Sequence, residues 1–190
     1  MTGRTDLRQR LVGRLGERWG GALFSFVACL LAVGVCGLAG YAVGQPLVFP
    51  SLGPTAYLFF ETPLGERASV RNSLIGHGVA LLVGAFSVLL FGLWGDPSVL
   101  QEGVTLARVG VAAFSVALTG AALLLVRASH PPAGATVLIV SLGLLDSVTQ
   151  IVSLAAGVVL VTAAGWLVNR ACGVPVPLWA ARSRADESPT

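Results

Sequence analysis

The sequence predicts an all-α integral membrane protein made of two inverted three-segment repeats, and three observations carry that prediction. First, 55% of the residues are hydrophobic and only 11% are charged, with a mean hydropathy of +0.83, whereas soluble domains carry about 25% charged residues. Second, four apolar stretches, about 21–44, 72–95, 104–127 and 148–169, each supply the roughly 20 helical residues needed to cross a hydrocarbon core. Third, Pro50-Ser51-Leu52-Gly53-Pro54-Thr55 returns 81 positions later as Pro131-Pro132-Ala133-Gly134-Ala135-Thr136, with Pro-x-x-Gly-x-Thr kept in register. The same offset pairs Gly76 with Gly157, Gly84 with Gly165 and Gly92 with Gly173.

Residues 1–19 form a basic tail with Arg4, Arg8, Arg10, Arg14 and Arg18, which the positive-inside rule retains in the cytoplasm. All 12 cations are Arg and the net charge is +3. A basic tail beside a membrane span explains that charge, so no nucleic-acid partner is expected. The stretch 21–44 is longer than a signal-peptide core, and no small-residue cleavage site precedes a soluble body, so it is read as a retained span.

The two shorter segments, about 46–61 and 130–145, hold the repeated motif. An extended residue advances about 3.3 Å and a helical one about 1.5 Å, so a half-extended, half-helical segment of this length reaches across the core. Proline holds its predecessor extended and suits a first helical turn. Helices are therefore expected from about Pro54 to Glu61 and from Pro132 to Leu144, each starting near the bilayer centre.

If both short segments cross, the chain has six crossings. Arg67, Arg71, Arg127, Arg170, Arg182 and Arg184 then join the amino-terminal tail on the cytoplasmic side, and Asp96, Glu102 and Asp146 fall outside. If the segments turn back, Arg67, Arg71 and Arg127 face outward against the usual bias. Charge thus favours six crossings of a cell membrane, with both termini cytoplasmic. The repeats are placed at 20–95 and 101–173, followed by a tail at 174–190. Three crossings per repeat invert the second copy relative to the first.

Irregular backbone at membrane depth must be covered by protein or line a wet cavity. Gly76, Gly78, Gly84, Gly157 and Gly165 would allow close helix approach over it. Cys29, Cys36 and Cys172 make no disulfide or metal pattern and read as small packing residues. Trp94 and Trp166 read as interfacial anchors, with Trp179 beyond the last span.

In the inverted arrangement the two half-helices present their N-termini to each other, and each brings partial positive charge and free N–H donors. No Asp or Glu lies deep in a span, whereas cation pathways usually place carboxylates there. A small inorganic anion is therefore the expected ligand, without cofactor or metal. The candidate site comprises Ser51, Gly53, Pro54 and Thr55 from the first segment and His130, Pro131, Pro132, Ala133, Gly134, Ala135 and Thr136 from the second. The hydroxyls of Ser51, Thr55, Ser129 and Thr136 add neutral donors, and His130 a switchable one.

Several of these residues have a plainer reading beside the functional one. Thr55 and Thr136 can return hydrogen bonds to their own helices, and His130 can cap the loop after Arg127. His77, with Asn72 nearby, is expected to hydrogen-bond another helix. Arg108, about one turn inside its span, is expected to snorkel to the outer surface, with anion steering as the alternative.

The run from His130 to Thr136 resembles the signature of the HPP family of integral membrane proteins, as do Pro50 to Thr55 and the pairs Arg71-Asn72 and Gly76-His77. The resemblance covers about residues 20–170. It implies nitrite, a small monovalent anion, as candidate substrate, because plastid and cyanobacterial members are associated with nitrite transport. It also implies the four spans usually ascribed to the family, against the six that charge favours. Pro54 departs from the small residue expected there.

Two other classes compete with an anion transporter or channel. Ser129 beside His130 suggests an intramembrane hydrolase, but adjacent residues seldom place nucleophile and base correctly and no buried carboxylate is there to orient the imidazole. An enzyme is not expected. A non-transporting sensor or scaffold subunit is the remaining alternative. A chain of this length has little core to enclose a path alone, so a homo-oligomer is expected.

Overall fold

The computed structural model describes residues 6–145 and 147–180 and is all-helical there. Arg4, Asp146, Arg182 and Arg184 lie outside the described residues. Seven α-helices follow in order: α1 (Leu7–Val43), α2 (Leu52–Glu61), α3 (Val70–Leu90), α4 (Val99–Glu102), α5 (Leu106–Leu125), α6 (Ala133–Ser141) and α7 (Val148–Ala171). A 3-10 turn, Glu66–Ala68, precedes α3. Of these, α1, α3, α5 and α7 are long and apolar enough to cross a membrane.

Helix starts follow their caps. The side chains of Asp6, Ser69, Thr105 and Ser147 accept from the N–H groups of Gln9, Asn72, Arg108 and Gln150, each satisfying a donor that the helix leaves unpaired. Much of the expected basic tail is helical. Residues 7–15 form a short arm that breaks from the main helix at Gly16, whose φ of 79° and ψ of 161° are non-helical. The arm folds back onto Gly20, where a Cβ would lie 2.5 Å from the Leu11 carbonyl carbon.

The short helices differ from expectation at their ends. α2 begins two residues early, at Leu52, with Pro54 inside its first turn, where a missing N–H costs no intrahelical bond. α6 stops at Ser141 instead of Leu144, because Gly143 turns the chain with a φ of 72°. α3 likewise ends at Leu90, leaving Trp94 in the loop.

Hydrogen bonds fix which ends lie together. The Leu7 N–H donates to the Cys172 carbonyl and the Arg71 N–H to the Trp179 carbonyl, so α1 and α3 both start where α7 ends. The Arg71 guanidinium donates to the carbonyls of Arg127 and Val126, which brings the end of α5 to the same face. At the opposite face the Val99 N–H donates to the Leu142 carbonyl, beside the start of α5. Helices α1 and α3 therefore run parallel, and the chain between them returns from one end of the bundle to the other. Along the way Val48 lies beside Gly37, and the Phe60 ring packs edge-on against Phe24 at 6.2 Å.

An offset of 81 residues maps these elements onto one another. It carries α2 onto α6, and Gly92 and Gly173 both follow their helices with left-handed backbone. Contacts obey the same offset crosswise: α1 packs on α2 and α7, and α5 packs on α6 and α3. At closer range, Gly84 meets Val140 while Gly165 meets Phe59. Large apolar side chains such as Phe26, Leu38, Leu82, Leu124 and Val159 are exposed, a surface suited to lipid and unlike that of a soluble monomer.

Candidate functional site

The two motif segments meet on one histidine. Thr55, in α2, and Thr136, in α6, both reach His77, which projects from the third turn of α3. His77 Nε2 lies 2.9 Å from Thr55 Oγ1, and His77 Nδ1 lies 2.6 Å from Thr136 Oγ1. His130, just ahead of α6, completes the cluster: its Nε2 is 3.3 Å from His77 Nε2 and 3.5 Å from Thr55 Oγ1. Its Nδ1 is 2.8 Å from the Arg67 carbonyl. All four side chains are at most 1% exposed, and His77 sits about 10 Å along α3 from its first residue.

For neutral rings, the partners assign one proton arrangement. The Arg67 carbonyl can only accept, so His130 Nδ1 carries the proton and His130 Nε2 is a bare acceptor. His77 Nε2 then carries its own proton, since two lone pairs would otherwise face each other at 3.3 Å. Thr55 donates to the Ser51 carbonyl at 2.9 Å and accepts from His77. Thr136 donates to His77 Nδ1. The chain of donors thus runs from Thr136 through His77 to Thr55 and His130.

Close approach of backbone makes the cluster possible. A Cβ on Gly76 would lie 2.7 Å from the Cβ of His130, so only glycine lets that ring lie against α3 one residue before His77. Gly84 and Gly165 receive Val140 and Phe59 in the same manner, and Gly157 receives the Leu47 carbonyl. Gly78, expected to join them, has nothing within 4 Å.

The other candidate residues divide. Pro132 and Ala133 are buried, Gly134 and Ala135 half-buried, and Gly53, Pro54 and Pro131 exposed. Pro54 and Pro131 instead flank a groove of about 250 Å³ between the two short helices, with Tyr57, Leu58, Pro132 and Ala135. Ser51 is fully buried and its hydroxyl has no hydrogen-bond partner, a costly arrangement unless a ligand or water meets it. Asn72 lies nearer the bundle end, donating to the Ser129 carbonyl at 3.2 Å; the Ser129 carbonyl, not its hydroxyl, is what this contact uses.

Two expectations need correction. The first-turn amides of α6 are already bonded: Ala133, Gly134 and Ala135 donate to the carbonyls of His130, Pro131 and Pro132. The Pro-rich turn folds under the helix start and takes up the donors expected to face a ligand, and the cluster's own donors are paired with one another, so the buried Ser51 hydroxyl is the donor left without a partner beside it. Arg108 does not snorkel. It is 3% exposed, and its guanidinium donates to the carbonyls of Ser141, Asp96 and Pro97 at 3.0–3.1 Å.

Between the cluster and the bundle end lies a vestibule of about 620 Å³, whose lining includes Arg67, Arg71, Asn72, Arg127 and Ser129, with Glu66 as its one carboxylate among the lining residues. Sequence reasoning placed His77 in a supporting role and missed the vestibule. His77 was visible as a polar residue in an apolar, glycine-rich span, but the Arg67 carbonyl that orients His130 is backbone and leaves no mark in side-chain chemistry. No group of His, Cys, Asp or Glu that could hold a metal occurs among the described residues.

Four long apolar helices around a buried polar centre define a multi-pass helical membrane protein. The chain matches the family model described as HPP, transmembrane region, over residues 16–177, and it belongs to that family. No curated protein and no solved structure matches it.

Proposed function

We propose that the protein carries a small monovalent anion, nitrite or a close relative, across the membrane in which it sits. The observation that carries this reading is the buried union of both motif segments on His77, in a cluster of neutral hydroxyls and imidazoles, able to turn their donors to a ligand, that contains no carboxylate. Such a cluster can solvate an anion, whereas a cation would find no countercharge. The unpartnered Ser51 hydroxyl supplies a further donor beside Thr55, and the vestibule's three arginines favour anions at the approach.

In this reading the chain is an inverted repeat with six crossings, the segments around α2 and α6 being the two discontinuous ones. The shared 81-residue offset, the crosswise packing and the parallel course of α1 and α3 support it. The arginine-rich end, where Leu7 meets Cys172 and Arg71 meets Trp179, is cytoplasmic in this reading. Rocking of one repeat against the other would open the cluster to each side in turn.

The test is uptake of nitrite, nitrate and formate into proteoliposomes holding the purified protein. Uptake above protein-free vesicles is expected for at least one of them. Thr136→Val, which keeps the side-chain shape but removes the donor to His77, is expected to slow uptake about tenfold or more, and Thr136→Ser to retain most of it. Vesicles that take up none of these anions would defeat the proposal.

A further inference from the structure

We infer that one proton moves with each anion, and that the His77–His130 pair holds it, making the cycle an electroneutral anion–proton symport. The inference rests on the transport reading above and names the coupling ion for the same site.

The argument begins with charge. An ionised group held in an apolar interior without a countercharge costs far more than any hydrogen bond returns. Among the described residues, the groups hydrogen-bonded within the cluster are two threonine hydroxyls, two imidazoles and the backbone carbonyls of Ser51 and Arg67. The elements packed around it bring no countercharge either. α7 contributes Thr162, bonded to Ser73 of α3, and Asn169, bonded to the Phe59 carbonyl. α5 contributes Ser115 and Thr119, both neutral, and its one cation, Arg108, is held on the carbonyls of Ser141, Asp96 and Pro97 at the opposite end of α6 from His130. Arg71 is turned away onto the Arg127 and Val126 carbonyls, and Arg67 meets His130 only through its carbonyl. Among the described residues an imidazole is therefore the only group at the centre that can become a cation, and it does so by taking a proton.

The geometry also sets the number. With Nε2 atoms 3.3 Å apart, two imidazoliums would repel strongly, so the pair holds one extra proton and not two. It has a place ready. When a proton is added at His77 Nδ1, the Thr136 hydroxyl rotates from donor to acceptor. His77 then carries protons on both nitrogens, and its Nε2–H still points at the bare His130 Nε2. Transfer across that contact moves the positive charge to His130, next to the vestibule. Loss of that proton to water there leaves both rings neutral but His77 as its Nδ1–H tautomer, and the cycle closes when His77 gives up its Nδ1 proton and takes one at Nε2 through water, with no net change in proton count. One proton enters, one leaves, and no bond to the anion is formed or broken. A proton and a monovalent anion crossing together transfer no net charge, and neither is left alone in the apolar interior.

The experiment loads full-length protein into vesicles with an entrapped pH dye and drives nitrite inward, with protein-free vesicles subtracted because undissociated nitrous acid crosses lipid unaided. Valinomycin and potassium set the membrane potential either to zero or to a value that would change passive anion accumulation tenfold. Symport predicts internal acidification with one proton per nitrite and an uptake rate that changes less than twofold between the two potentials. Nitrite uptake that follows the potential without acidification would overturn the inference while leaving transport standing. Absence of protein-dependent uptake would remove both. In His77→Gln, which can donate and accept hydrogen bonds but cannot titrate in this range, the proton-to-anion ratio is expected to fall at least fivefold. An unchanged ratio in a variant that still transports would overturn His77 as carrier. If that variant does not fold, the wild-type potential test decides alone.

Discussion

Arg108 shows how a single residue can be conspicuous in sequence and still misplace its role. A cation one turn inside a span suggests either snorkelling or anion steering, but the guanidinium here is spent on the carbonyls of Ser141, Asp96 and Pro97. It joins the end of α6 to the loop before α5, where the negative pole of a helix favours a cation. Arg108→Leu would leave buried carbonyls unpaired at about 1–3 kcal/mol each. The purified variant is therefore expected to melt roughly 5–10 °C lower, while its KM for the proposed anion substrate stays within about twofold. A large rise in KM with unchanged melting would return Arg108 to the transport path. The depth of Arg108, like the polarity of His77, was legible in the sequence; its partners were not, because they are backbone atoms brought there by residues far along the chain. The same holds for His130, whose tautomer is set by the carbonyl of Arg67.

At the scale of elements, the glycines that recur at the 81-residue offset mark where the short helices dock. Gly84 receives Val140 of α6, where a Cβ would lie 2.8 Å from the valine Cβ, and Gly165 receives Phe59 of α2, with ring atoms at 3.0 Å. The Val140 atom is fixed to its backbone, so Gly84→Ala must push α6 away from α3. Overpacking of this kind costs about 1–3 kcal/mol. Gly84→Ala is expected to lower the melting temperature clearly and Gly165→Ala by a similar or smaller amount, whereas Gly78→Ala, with open space around it, should not lower it. Equal melting of all three variants in detergent, followed by tryptophan fluorescence, would contradict the docking role. The offset and the Pro-x-x-Gly-x-Thr pattern made the pairing of α2 with α6 legible. Their ends were less so: Pro54 was expected to start its helix but fits within the first turn, and the amides of α6 are consumed by a turn whose carbonyls the motif does not advertise.

For the whole molecule, the proposed count of six crossings is argued from which ends share a face. Four helices are long enough to span, yet α1 and α3 run in the same direction, because both begin beside the chain that follows α7. Two successive parallel spans require the intervening segment to go back across. In the proposed reading it does so with the ten helical residues of α2 and an extended approach, since the extended part covers more than twice the distance per residue that helix does. Counting apolar helices alone gives four, whereas the proposed reading, which adds direction, gives six. The exposed residues Gln9, Glu66 and Leu100 turn that distinction into a measurement. In a background with Cys29, Cys36 and Cys172 replaced by alanine, a membrane-impermeant maleimide should reach Gln9→Cys and Glu66→Cys from the same side of sealed vesicles. Leu100→Cys should react only from the other. If α2 merely dipped into the bilayer and returned, Gln9→Cys and Glu66→Cys would label from opposite sides. Glu66 and Leu100 are separated by α3 in either arrangement, so the label at residue 9 is the decisive one.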